Sequence, residues 1–120
     1  MSKSFLFFIK ELGDKAMTHL ADLLADSKNA KILKLKKNKI SDDGFAILIE
    51  AFRKNKSLKN IFFDFNHLTE KSIEIFCKMV ANKKNTLSIK RASFMNNNIN
   101  SGKCKVFLKE AKAREVDLYI

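Results

Sequence analysis

The apolar residues of this chain recur in two patterns, one with a period of two and one with helical spacing. Leu33 and Leu35 alternate with lysines, which is typical of a strand with one buried face. Gly44, Leu48 and Phe52 then follow at intervals of four, which place them on one face of a helix. The stretch from Leu33 to Phe52 therefore predicts a strand followed by a helix.

This strand-to-helix pattern repeats along the chain. The form L-x-L-x-x-N-x-I occupies positions 33–40, and closely related segments occupy 61–68 and 92–99. The asparagines of the three segments are Asn38, Asn66 and Asn97, so the steps between them are 28 and 31 residues. The polar stretch 82–86 reads as a loop that accommodates the longer step. A period of this length indicates stacked supersecondary units.

The pattern also extends toward both ends of the sequence. Phe5, Phe7 and Leu12 lie one repeat length before the matching apolar positions of the second unit, with Lys10 where asparagine would stand. At the other end, residues 116–120 alternate as a strand that no helix follows. The expectation is four strand–helix units and a terminal fifth strand in a single domain, residues 1–120.

The run Leu33-x-Leu35-x-x-Asn38-x-Ile40-x-x-x-Gly44-x-x-x-Leu48 resembles the long repeat of the ribonuclease-inhibitor class of leucine-rich-repeat proteins. The resemblance covers nearly the whole chain, with departures at Lys10, Ala92 and Lys103. It implies an α/β fold, a right-handed leucine-rich-repeat solenoid with short parallel strands on its concave face and helices on its convex face. It also implies that the concave face binds another molecule, usually a protein.

The asparagines have a physical task of their own. Where the chain leaves a strand, backbone groups lose their ladder partners, and each buried unpaired group costs about 1–3 kcal/mol. An inward amide supplies both donors and acceptors. Asn38, Asn66 and Asn97 are therefore predicted to form a ladder that bridges adjacent units.

Alternate strand residues point outward, so the sequence predicts the composition of the concave face. Its columns across the units are expected to be Leu6, Lys34, Phe62, Ser93, Tyr119; then Phe8, Lys36, Asp64, Met95; then Ser4, Ile32, Asn60, Arg91. Exposed aromatic side chains beside cations are typical of interaction patches. The predicted partner-binding residues are Lys34, Lys36, Phe62, Asp64, Phe65, Arg91 and Met95.

The charge of the chain bears on its partner. A net charge of +11 over 120 residues favours an acidic partner, and with the exposed aromatic side chains it predicts an acidic protein. An alternative is a nucleic-acid-binding module, in which Lys and Arg contact phosphates while Phe62 and Phe65 stack on bases. Steep salt dependence would distinguish phosphate binding from an aromatic-anchored protein interface.

Candidate chemistry is sparse. Cys77 and Cys104 lack the spacing of metal ligands and are expected to be buried thiols, and His19 and His67 lie apart from both. No nucleophile–base pair or carboxylate pair can be placed, so the sequence predicts no enzymatic activity, no cofactor and no metal site. With no recognisable signal peptide or membrane span, a cytoplasmic location is expected.

The ends carry one further expectation. The segment Phe5–Ile9 is apolar on both faces, and Val116–Ile120 has no helix after it to cover its edge. Exposed strand edges pair readily with other chains. Another chain is therefore expected to cover at least one terminal strand, either as a homodimer or as a partner protein that adds its own strand or helix.

Overall fold

The computed structural model describes residues 5–8, by their backbone alone, and residues 14–120. Within these ranges helices alternate with short strands, and 3-10 turns at Asp14–Ala16 and Ser101–Cys104 precede the first and last helices. The elements are β1 Phe5–Phe8, α1 Met17–Asp26, β2 Ala30–Lys34, α2 Asp42–Lys54, β3 Asn60–Phe62, α3 Glu70–Ala81, β4 Arg91–Ser93, α4 Lys105–Ala113 and β5 Asp117–Tyr119.

The five described strands form one parallel sheet in which they lie in the order of the sequence, β1 to β5. Each strand is joined to the next through a helix, as parallel pairing requires. The chain is thus a mixed α/β fold with four strand–helix units and a fifth strand, as its repeat predicts. Residues 82–90, between α3 and β4, contain no regular element and account for the longer step.

The register of β1 differs from the prediction. Leu6 pairs with Ile32 and Phe8 with Lys34, whereas a constant repeat length would pair Leu6 with Lys34 and Phe8 with Lys36. The physical reason is a shorter connection. Only five residues separate Phe8 from the turn at Asp14, whereas seven separate Lys34 from Asp42. The predicted positions of Ser4, Ile9, Lys10 and Leu12 lie outside the described residues.

The core lies between the sheet and the helices. The strands contribute inward residues such as Leu33 and Ile61, and Phe63 follows directly after β3; all three have no exposed surface. Phe45 of α2 packs edge-on against Phe63, with ring centroids 5.1 Å apart. Full burial of a side chain of this size stabilises the fold by about 1.5–3 kcal/mol. The core is shared between units, because the Phe45 ring contacts Phe63 and Phe94 of the two units that follow it.

Acidic side chains at the helix starts link each unit to the next. Asp14 accepts hydrogen bonds from the backbone N–H and the hydroxyl of Ser41, at 3.2 and 2.5 Å. Asp42 accepts the equivalent pair from Thr69, at 2.9 and 2.5 Å. Glu70 accepts from the N–H of Asn100 at 3.3 Å. These acids also complement the positive ends of the helices. Their even spacing, equal to the repeat length, was a visible signal of this second ladder.

Candidate functional site

Side-chain amides hold the ends of the central strands together. The Asn66 Oδ1 accepts hydrogen bonds from the N–H groups of Asn38 and Ile40, both at 3.0 Å. Its Nδ2 donates to the carbonyls of Leu35 and Phe63, at 2.7 and 2.9 Å. Each bond to the preceding unit satisfies a backbone group that has no strand partner there.

Asn97 repeats this arrangement one unit later. Its Oδ1 accepts from the N–H groups of Asn66 and Leu68 at 3.0 Å, and its Nδ2 donates to the carbonyls of Phe63 and Phe94 at 2.9 Å. The two amides therefore fix the relative positions of three successive units, and with them the outward side chains of the strands.

The residue before each ladder asparagine has a left-handed backbone. The φ angles are 59° at Lys37, 59° at Phe65 and 60° at Asn96. Asparagine tolerates this region, but a bulky side chain such as phenylalanine is strained in it. Because three equivalent positions share the conformation, the fold imposes it. At Phe65 it leaves the ring 50% exposed.

We call the outward residues Lys34, Lys36, Phe62, Asp64, Phe65, Arg91 and Met95 the strand face. Lys34 of β2, Phe62 of β3 and Ser93 of β4 lie in register, and Tyr119 of β5 continues the row. Parallel strands are about 4.8 Å apart, so the side chains of one row are close neighbours. The structure thus brings the predicted central residues together on one surface.

Two lysines flank the ring of Phe62. The Nζ atoms of Lys34 and Lys36 lie 5.6 and 5.3 Å from its centroid. Lys37, which was expected at a strand end but not among the partner-binding residues, has its Nζ 5.5 Å from the ring of Phe65. Each cation–π contact of this kind is worth about 0.5–1 kcal/mol at exposed sites. The face therefore presents aromatic rings with ammonium groups held beside them.

Asp64 lies beside this cluster with one side-chain oxygen satisfied. Its Oδ2 accepts a hydrogen bond from the hydroxyl of Ser93 at 3.0 Å, while Oδ1 is buried and has no hydrogen-bond partner in the described part of the chain. Ser93, the last residue of β4, is 7% exposed and lies in sequence between the exposed residues Arg91 and Met95. Arg91 is exposed and Met95 is 46% exposed, at the edges of the strand face.

The remaining candidate groups lie apart from the strand face. Cys77 and Cys104 are both buried, and burial, with smaller effects of Cys104 and Glu110, raises the pKa of the Cys77 thiol to about 12. His19 and His67 are exposed. In the part of the chain that the structure describes, no three His, Cys, Asp or Glu side chains group in a way that could hold a metal ion. None of its helices has the length and apolar character to cross a membrane.

Comparison with known proteins identifies a related fold. No protein-family model matches the sequence, and no curated protein matches it. Among solved structures 44 chains match. One is "Leiomodin-1 Actin-Binding Site 2 (ABS2)", which superimposes with a TM-score of 0.75 at 16% sequence identity. The match covers 95% of this chain and 68% of the leiomodin chain, so the two share a fold.

Proposed function

We propose that this chain is a small leucine-rich-repeat solenoid of the ribonuclease-inhibitor type. It acts as a non-enzymatic module of the cytoplasm that holds an acidic protein on its strand face. The repeated strand–helix units and the two asparagine rungs support the solenoid. The observation that carries the binding function is Phe62, an outward ring with the ammonium groups of Lys34 and Lys36 at 5.6 and 5.3 Å from its centroid.

Two features support a protein as the partner. Phe65, Met95 and Tyr119 are about half exposed on the same side of the sheet as Phe62, and exposed aromatic side chains anchor protein interfaces. The leiomodin structure of the same fold is described as an actin-binding site, which makes actin the first protein to test.

The lysines beside the rings support an acidic partner. Lys34, Lys36 and Lys37 form no ion pair with any acid in the described part of the chain, so their charge is available to a ligand. Carboxylates that approach Lys34 and Lys36 would be positioned over Phe62, where apolar groups of the same partner could pack. Charge complementarity would raise the association rate and aromatic packing would slow dissociation.

Stacking of nucleic-acid bases on the strand face has less support. Bases would need the faces of Phe62 and Phe65, but Lys34, Lys36 and Lys37 hold their ammonium groups over these rings. An approaching base would have to displace these groups. A carboxylate would meet the same groups directly.

The test is affinity capture with a matched pair of variants. Lys34→Glu with Phe62→Ala alters the strand face, and Lys105→Glu with Val106→Ala makes the same kinds of change on α4, where Val106 is 65% exposed. Captured proteins are identified and their affinities measured, with purified actin as a direct arm. We expect an acidic partner whose affinity falls at least about tenfold, or 1.4 kcal/mol, only in the first variant. Equal losses in both variants would refute the proposal.

A further inference from the structure

Among the connections between helices and strands, basic residues concentrate at the edge where the helices end and the next strands begin. The connections 27–29, 55–59, 82–90 and 114–116 contain a single acid, Glu115. Their basic residues are Lys28, Lys56, Lys59, Lys83, Lys84, Lys90 and Arg114. At the opposite edge, the described connections 35–41, 63–69 and 94–100 contain Lys36, Lys37, Lys39 and Asp64. The positive charge of the connections is thus concentrated at the helix-end edge.

Some of these cations have a structural role. The Nζ of Lys56 donates to the carbonyls of Arg53 and Thr86, at 3.2 and 2.7 Å. Arg114 donates to the carbonyls of Ala81 and Asn85, both at 3.3 Å. Cations near the carboxyl ends of helices satisfy free carbonyls and complement the helix dipole. This role accounts for Lys56 and Arg114.

Hydrogen bonding to carbonyls does not account for the other lysines at this edge. We call Lys28, Lys31, Lys59, Lys83, Lys84 and Lys90 the basic edge. Within the described residues, none of their ammonium groups has a hydrogen bond, and the ion pairs there are Arg53–Glu50, Lys78–Glu74 and Lys103–Glu70. The basic edge therefore presents six lysines without internal partners.

Three of these lysines are forced together by the sheet. The N–H of Lys59 donates to the carbonyl of Lys31 at 2.8 Å, and the N–H of Lys90 donates to that of Lys59 at 2.8 Å. They therefore occupy the same level on adjacent strands, about 4.8 Å apart. Like charges placed side by side on neighbouring strands destabilise a sheet. A bound polyanion would relieve this repulsion.

The connections at this edge have clefts and polar groups but no large exposed apolar side chain. One cleft of about 390 Å³ is lined by Lys28, Lys54 and Lys56, by the hydroxyl residues Ser27 and Ser57, and by Ala25 and one acid, Asp26. A second, of about 240 Å³, is lined by residues that include Lys83, Lys90 and Thr86. The apolar residues of these connections, Leu58, Ile89 and Val116, are buried, and Leu87 is partly buried. The edge therefore lacks the aromatic anchors of a protein interface and the apolar element that stable membrane attachment requires.

From this distribution we propose a second binding surface: the basic edge binds the phosphate backbone of double-stranded nucleic acid without reading its sequence. Duplex DNA carries one negative charge for about every 1.7 Å of its axis, and lysines and hydroxyls are the usual contacts to phosphate oxygens. This surface is separate from the strand face, so a protein and a duplex could bind at the same time.

The test uses a fluorescently labelled 24-base-pair DNA duplex of arbitrary sequence and measures anisotropy between about 50 and 200 mM salt. The row variant carries Lys31→Gln, Lys59→Gln and Lys90→Gln. The matched control carries Lys15→Gln, Lys39→Gln and Lys105→Gln, which removes the same charge from exposed lysines at the opposite edge, outside the strand face. We expect the row variant to bind at least tenfold more weakly, while the control changes little. The salt slope, which is the change of log affinity with log salt concentration, should become smaller in magnitude by about 2 to 3 in the row variant.

Three results would overturn the proposal. They are equal losses in both triple variants, absence of duplex binding by wild type at the lowest salt, and row-dependent binding to vesicles of phosphatidylcholine and phosphatidylserine without duplex binding. Circular dichroism checks that both variants fold. If the row variant does not fold, Lys90→Gln and Lys39→Gln replace the triple variants, with an expected difference of about 1 in the salt slope.

Discussion

The side-chain oxygen of Asn97 accepts a hydrogen bond from the backbone N–H of Asn66 at 3.0 Å, across a separation of 31 residues. Asn66 makes the same bond to Asn38, 28 residues away, at the same distance. A loop of different length thus leaves the contact between neighbouring units unchanged, because the extra residues lie between helix and strand, away from the ladder.

Replacement of Asn66 by alanine should remove a rung that bridges two units. Four backbone groups would lose their partner at a site that is only 6% exposed. We expect a loss of about 3 kcal/mol in the free energy of unfolding, measured by urea denaturation. Asn98→Ala, at an exposed position in the following unit, is the control and should change stability by less than about 0.5 kcal/mol. Similar unfolding free energies for the two variants would contradict the role of Asn66 as a bridge between units.

Protonation of Asp42 should weaken the link between the second and third units. Burial acts to raise the pKa of this carboxyl, but hydrogen bonds from Ser72 and Thr69, with Lys71 nearby, outweigh it and lower the pKa below its usual value. The stabilisation is therefore present above the unfolded pKa of about 4 and is lost as the pH falls through the folded pKa. Asp42→Asn should be less stable than wild type at pH 7, with a smaller difference at pH 3.

Urea unfolding at the two pH values measures this difference. Asp43→Asn is the control, because Asp43 is an exposed neighbour in the same first turn of α2. A destabilisation of Asp42→Asn that is the same at pH 3 and pH 7 would show that the ionised carboxylate is not the stabilising species.

A side chain at position 44 should force apart two units. A Cβ on Gly44 would collide with the carboxylate of Asp14, which bonds to Ser41 at that point. We expect Gly44→Ala to cost about 1–3 kcal/mol in unfolding free energy, as overpacking does. At Gly102 a Cβ would meet only the Asn100 Oδ1, at 3.3 Å. Gly102→Ala should therefore be nearly neutral in the same thermal or urea unfolding experiment.

Phe65 should lower the stability of the fold, because of its left-handed backbone, while its exposed ring contributes to partner binding. Its φ of 59° suits asparagine, which occupies the equivalent position 96 in the next unit at 60°. We expect Phe65→Asn to keep or raise stability by up to about 1 kcal/mol while it weakens partner capture. The reverse exchange, Asn96→Phe, should lower the melting temperature. A strong loss of stability in Phe65→Asn would indicate that the ring is a core residue.

Coverage of the terminal strands by another chain stays a prediction. If two copies pair through β1 and β5, light scattering should show a mass that rises over a hundredfold range of protein concentration. Addition of a strand or helix by a partner protein would instead leave the isolated chain monomeric and protect the β5 amides only in the complex. A monomer at all concentrations whose β5 amides already exchange slowly would contradict both forms.

The periodic pattern predicted most of the fold because its signals are local. Leu33 and Leu35 must face inward for a strand to bury one side, and Leu48 and Phe52 must share one helix face. The order of elements, the parallel sheet and the positions of the ladder asparagines follow from such spacings. The outward position of Phe62 follows from the same alternation.

Contacts between units depended on information that no single segment contains. The register of β1 was predicted wrongly because it depends on the length of one connection, which the repeat length does not reveal. The approach of Lys36 to the Phe62 ring depends on a rotamer, and the bonds from Ser41 to Asp14 depend on how two helices stack.

The sequence by itself thus determined the number, type and order of the units, because hydrophobic periodicity acts within each segment. Only the tertiary structure decided which charges become neighbours. Lys31, Lys59 and Lys90 are far apart in sequence, and their charges meet because backbone hydrogen bonds place the three residues at one level of the sheet.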